Sequence, residues 1–124
     1  MRMRLSYFIV LLSAFVWLCQ PAFASGMSST HSLESGAVSI TNTQKRSSWV
    51  PVAVLFRFNA PASGTITVER RTGANIFLLA ECLLSNNLHA VWMPETDVPF
   101  NLNGALSISS TMTNGTVEII RKAH

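Results

Sequence analysis

The chain predicts an all-β fold: a small antiparallel β-sandwich, jelly-roll-like or immunoglobulin-like, behind a cleaved N-terminal signal peptide. Three observations lead there. From residue 37 onward, apolar runs are short and are broken by turn residues at roughly ten-residue intervals. Within most of these runs apolar and polar side chains alternate, the period of a strand with one buried face. No heptad pattern and no repeat of solenoid length interrupts them.

Residues 1–24 have the three-part pattern of a leader. "MRMR" carries two positive charges, "LSYFIVLLSAFVWLC" is nearly continuous apolar sequence, and Ala22-Phe23-Ala24 is a small-x-small cleavage site before Ser25. The apolar run falls short of the roughly 20 residues that span a bilayer, which favours removal over an anchor. Leu18 precedes Cys19 where a lipoprotein site wants a small residue. The expected location is therefore secreted, periplasmic or cell-surface, with no membrane association after cleavage.

Residues 25–36, "SGMSSTHSLESG", have no apolar period and predict a flexible polar arm. The β-sandwich domain is expected over residues 37–124. "AVSITNT" (37–43) alternates, with Val38 and Ile40 on one side. "SSWVPVAVLFRF" (47–58) places Val50, Val52, Val54, Phe56 and Phe58 on one face, and Pro51 suits a strand start, edge or bulge. "NAPASG" (59–64) predicts a loop. "TITVER", a turn at Gly73 and "NIFLLAECLL" predict a β-hairpin. "NIFLLAECLL" is apolar on both faces, so period alone does not separate a strand from a helix; its strand neighbours and "SNN" (85–87) favour a strand ending there, with room for a one-turn helix at its end. "LHAVWMP" (88–94) is a further strand, and "ETDVPFNLNG" (95–104) a long corner. "ALSISST" turns Leu106 and Ile108 inward. Asn114-Gly115 predicts a closing hairpin into "TVEIIRK", with Val117 and Ile119 inward.

Charge and cysteines narrow the function. The whole chain carries a formal +3, but Arg2 and Arg4 leave with the leader. Seven bases against six acids leave +1, and the bases are scattered as three pairs and a singleton. A nucleic-acid surface needs a clustered basic face, so no nucleic-acid partner is expected. Cys82 is the one cysteine past the leader, which excludes an intrachain disulfide. In its apolar setting it suits a small buried side chain.

The paired aromatic–proline corners, Trp49–Pro51 and Trp92–Pro94, have two readings. Each tryptophan covers an end of the core, its indole N–H reaching solvent or a carbonyl, or the two form exposed platforms for sugar rings. Glu95 and Asp97, followed by Asn101 and Asn103, are oxygen ligands of the kind calcium takes, but they match no calcium-loop spacing and suit a solvated loop. As a glycosidase pair they would need a cleft between them. His31, His89 and His124 lack metal-ligand spacing, so no metal is expected. No nucleophile-elbow, phosphate-loop or dinucleotide motif occurs, so no cofactor and no catalysis are expected. Asn114-Gly115-Thr116 also fits a glycosylation sequon.

The order "VPVAVLFRF", "GTITVERRTGANIF", "VPFNLNGALSISSTMTNGTVEII" resembles small β-sandwich accessory and structural proteins of tailed-phage particles, over roughly residues 50–120. That resemblance implies a sandwich and a virion role. The leader departs from it, since such proteins assemble in the cytoplasm. The expected function is an exported, non-enzymatic structural or interaction module that binds a protein partner or self-assembles. The alternatives are a carbohydrate-binding module using Trp49 and Trp92, with a glycan partner, and a virion accessory protein.

Overall fold

The structure, a computed structural model, describes residues 27–124 and the backbone of the Phe8–Ile9 pair. Apart from that pair, the expected leader and its cleavage point lie outside the described residues. The strands are β1 (Phe8–Ile9), β2 (Met27–Ser32), β3 (Ala37–Thr41), β4 (Trp49–Thr72), β5 (Asn75–Trp92), β6 (Gly104–Ser110) and β7 (Gly115–Ala123). Every pairing is antiparallel.

β4 and β5 form one hairpin that serves two sheets. It closes at Gly73, whose φ of +59° is open to glycine without strain. The ladder runs from Val54–Trp92 to Thr72–Asn75 and slips between Arg57 and Ala62, between Ala62 and Gly64, and between Val68 and Glu69. The first two slips mark a corner. On one side of it, the sheet order is β2-β7-β4-β5-β1; on the other it is β3-β6-β4-β5. The two sheets face each other across one apolar core, as the β-sandwich expectation requires.

Both corner segments were expected to break the chain, 59–64 as a loop and 85–87 as a strand end. Instead each strand runs through. The two strands bend at the same level, the pairing is interrupted between Arg57 and Gly64 and resumes beyond it, and polar side chains satisfy backbone groups that bending frees. Asn86 takes a φ of +59°. Its N–H donates to Ser63 Oγ (2.8 Å), and Ser85 N–H donates to Asn87 Oδ1 (3.0 Å). The turn chemistry in the sequence makes a corner, not an end.

Two further expectations change. Residues 27–32, assigned to a flexible arm, form β2 and pair with β7 from Met27–Arg121 to Ser32–Thr116. An edge strand bonded through its backbone needs no apolar face of its own. The fully buried Leu33 anchors its end, donating its N–H to the Gly115 carbonyl (2.9 Å). The hairpin expected at Asn114-Gly115 is absent. β6 pairs with β3 and β4, whereas β7 pairs with β2 and β4, so their connection crosses between sheets. Neither Asn114 nor Gly115 has a positive φ. Glycine is required at 115 because the Arg57 carbonyl fills the space a Cβ would occupy.

The core follows the alternation. Ile66, Val68, Leu106, Ile108, Val117 and Ile119 are all fully buried, as expected. On β4 the register slip between Pro51 and Ala53 reverses the phase. Trp49 belongs to the main core, as do Val54, Phe56 and Phe58 beyond the slip. Val52, expected with them, instead packs against a smaller cluster of Ala53, Leu55, Val91 and Ile120. Leu106 packs between the sheets, so Leu106→Ala is expected to lower unfolding free energy by about 2–4 kcal/mol in chemical denaturation. Leu83→Ala, at an exposed site, is expected to stay within about 0.5 kcal/mol of the parent.

Candidate functional site

Trp49 opens β4, just before the register slip between Pro51 and Ala53. Its ring stacks on Phe100 with centroids 4.6 Å apart and planes 10° from parallel. The Arg121 guanidinium lies 5.0 Å from the ring centroid, a cation–π contact. Trp92, at the end of β5, is part of the same core cluster. With relative exposures of 6% and 4%, the two indoles offer no platform to a sugar ring. Their role is the first of the two readings, closure of the core. The exposed-tryptophan expectation is corrected accordingly: proline beside each tryptophan stops or bends the strand, and the ring is folded inward.

Glu95 and Asp97 lie on the exposed connection between β5 and β6. No group of three metal-ligating side chains forms among the described residues. That connection is nevertheless well anchored. Trp49 and Phe100 exchange backbone hydrogen bonds (Phe100 N–H to Trp49 O, 2.8 Å; Trp49 N–H to Phe100 O, 3.3 Å). Asn42, 2% exposed, donates its side-chain amide to Phe100 O (2.6 Å) and Ser47 O (3.0 Å) and accepts from Gln44 N–H (2.8 Å). The Asn103 N–H donates to the Asn42 carbonyl (2.7 Å). Sequence reasoning missed Asn42 because one asparagine after a strand looks like any other turn residue. Only its partner Phe100, 58 residues away, distinguishes it.

Beside this anchored connection lies an open cleft of about 270 Å³. One wall is the end of the β4–β5 hairpin, with Arg70, Thr72, Asn75 and Phe77; the other is the connection, with Pro99, Asn101 and Leu102. Arg70 and Phe77 are directly paired and share the cleft face. The Arg70 guanidinium sits 5.1 Å from the Phe77 ring centroid, and its Nε is buried without a hydrogen-bond partner. Alternation puts Ile76 and Leu78 on the opposite face of the hairpin, with Glu69 and Arg71, which form an exposed salt bridge (3.1 Å).

That opposite face is apolar along β5. Ile76, Leu78 and Leu83 are exposed, Leu83 at 79%. Among the described residues no strand pairs with the outer edge of β5 from Asn75 to Ala90. Cys82 packs partly against the core, and burial raises its thiol pKa. The histidines lie apart: His31 on β2 bonds Ser29 Oγ (2.9 Å), His89 is on β5, and His124 ends the chain near Ser48.

No protein-family model matches the chain, and no curated protein matches it. Solved structures do. The chain is similar to a Drosophila NLP core, described for pentamer formation and histone binding, with 16% identity and a TM-score of 0.51. The match covers 81% of this chain and 98% of that one. It is also similar to a point mutant of a family 29 carbohydrate-binding module, at 14% identity and a TM-score of 0.39, covering 80% and 76% of the two chains. The Eiger TNF from S. frugiperda matches at 7% identity and a TM-score of 0.41, covering 77% and 92%. At such identities the likeness is one of fold, and the NLP core carries it.

Asn42→Ala removes a buried amide and leaves the Phe100 and Ser47 carbonyls without that donor. It is expected to lower stability by about 1–3 kcal/mol in thermal or chemical unfolding. His89 is held below its ordinary pKa of 6.5, by burial first and the Arg57 charge second. Its neutral form is thus favoured on folding. The stability this brings is complete above pH 6.5 and is lost as pH falls through that value toward the folded-state pKa. Between about pH 7.5 and about pH 5, the parent is expected to lose more thermal stability than His89→Gln. Parallel pH profiles would count against it.

Proposed function

We propose that the protein is an exported, non-catalytic β-sandwich module that works by association, with the outer face of the β4–β5 hairpin as its contact surface. The leader pattern supports export. The observation that carries the reading is the edge of β5 from Asn75 to Ala90, which no strand covers among the described residues, with Ile76, Leu78 and Leu83 exposed beside it. Natural strand edges are usually guarded by lysines, prolines or a covering segment. Residues 75–84 hold no proline and one charge, Glu81. An unguarded apolar edge is suited to accept another strand, its backbone groups giving affinity and its side chains giving fit.

The test is sedimentation of the purified protein over a concentration series, beside the variant Ile76→Ser/Leu78→Ser/Leu83→Ser. These side chains are exposed, so the variant is expected to fold with an unchanged circular-dichroism spectrum. The parent is expected to associate at micromolar concentration and the variant to remain monomeric, each truncated side chain weakening association by roughly 1 kcal/mol or more. A parent that stays monomeric, or a variant that associates equally well, refutes the surface. Turnover of a substrate by the purified monomer would refute the class.

A further inference from the structure

We infer that the cleft on the other face of the hairpin is a binding site for a single-ring carboxylated sugar of the uronic-acid kind. The site does not depend on association through the outer face. Its residues are paired or tethered to one another: Arg70 and Phe77 across the hairpin, and the facing wall through Phe100 to Trp49 and Asn42.

Three features define the ligand. The first is charge. Among the described residues no carboxylate pairs with Arg70, and its Nε is buried without an acceptor. The neighbouring Arg71 is taken by Glu69 on the opposite face, so Glu69 does not neutralise the cleft. A guanidinium held in place by an aromatic ring and lacking an anion suits a carboxylate. The second is the surface of Phe77. Phe77 is 47% exposed and lines the cleft, and the C–H face of a sugar ring packs on such an aromatic surface. The third is the polar rim. Thr72, Asn75 and Asn101 offer donors and acceptors for hydroxyls. Asn101 is held by a tight turn, its carbonyl accepting from Gly104 N–H (2.8 Å) beside Asn103 at a φ of +69°.

Size limits the ligand to one ring. About 270 Å³ lies just under the range of ligand clefts, which starts near 300 Å³. A ligand this small in an open cleft binds weakly, so the expected dissociation constant is millimolar.

The experiment is a titration of the purified protein followed by amide NMR shifts, with methyl glucuronoside, methyl glucoside and benzoate as probes. Methyl glucuronoside is expected to shift residues 70–77 and 99–104 and to saturate. Arg70→Gln is expected to weaken it at least about tenfold while leaving the glucoside's weaker binding unchanged. Phe77→Ala is expected to weaken both sugars. Raising salt to about 0.5 M is expected to weaken the glucuronoside alone, which tests the charge in the parent protein without any variant. Absence of saturable shifts at these residues overturns the site. Equal binding by Arg70→Gln, or equal binding of the two sugars at low salt, overturns the role of charge. Benzoate bound as tightly as the glucuronoside overturns the assignment to a sugar.

Discussion

The β4–β5 ladder is the constraint on which the rest of the structure depends. Each strand contributes one half to each sheet, so the register of a single hairpin sets the inner face of both. A slip of one residue would turn Val54, Phe56, Ile66 and Val68 outward together, emptying the core from both sides. The register is pinned where the chain has special chemistry. Gly73 supplies the left-handed turn at one end, and Asn86 supplies the other positive φ at the corner. Ser63 and Asn87 accept the amide hydrogens that the bend removes from the ladder. With the corner satisfied in this way, β6 and β3 add to one half of the hairpin, and β7 and β2 to the other.

This arrangement explains which parts of the fold were legible in the sequence. Alternation is a local signal, and it gave the inward faces of β3, β6, β7 and the second half of β4 correctly. The hairpin at Gly73 was legible too, because one glycine between strand-like runs has few other uses. The corner was not. Asn, Ser, Gly and Pro at 59–64 and 85–87 have the composition of chain-terminating loops, and only the simultaneous bend of both paired strands lets pairing resume beyond them. Asn114-Gly115 misled for a related reason. Its glycine answers a close approach by the Arg57 carbonyl on a distant strand, a steric demand that no local pattern reports. β2 was invisible because an edge strand bonded through its backbone needs no apolar period.

The candidate residues divide along the same line. Trp49 and Trp92 stand out in the sequence because tryptophan near proline is conspicuous, and both belong to the core. Arg70 and Phe77 carry no local signal of a site, because they lie in a run that also forms a hairpin. Their significance comes from being opposite each other near its end and facing the 99–104 segment. Glu95 and Asp97 stay where the sequence put them, on an exposed connection that Asn42, Trp49 and Phe100 anchor from beneath.

The end of the β4–β5 hairpin therefore combines two properties that a sandwich rarely offers together. Its base is fixed by the core and by β6, which pairs with β4 as far as Thr72, so its position is well determined. Among the described residues no strand covers its β5 side, so its side chains are not consumed by packing. Alternation then gives the two faces different chemistry, aliphatic with Ile76 and Leu78 on one, cationic and aromatic with Arg70 and Phe77 on the other. Because paired residues share a face, a substitution at any one of these positions alters one surface and leaves the other intact. The two surfaces can thus change independently on a single hairpin whose register the core already holds.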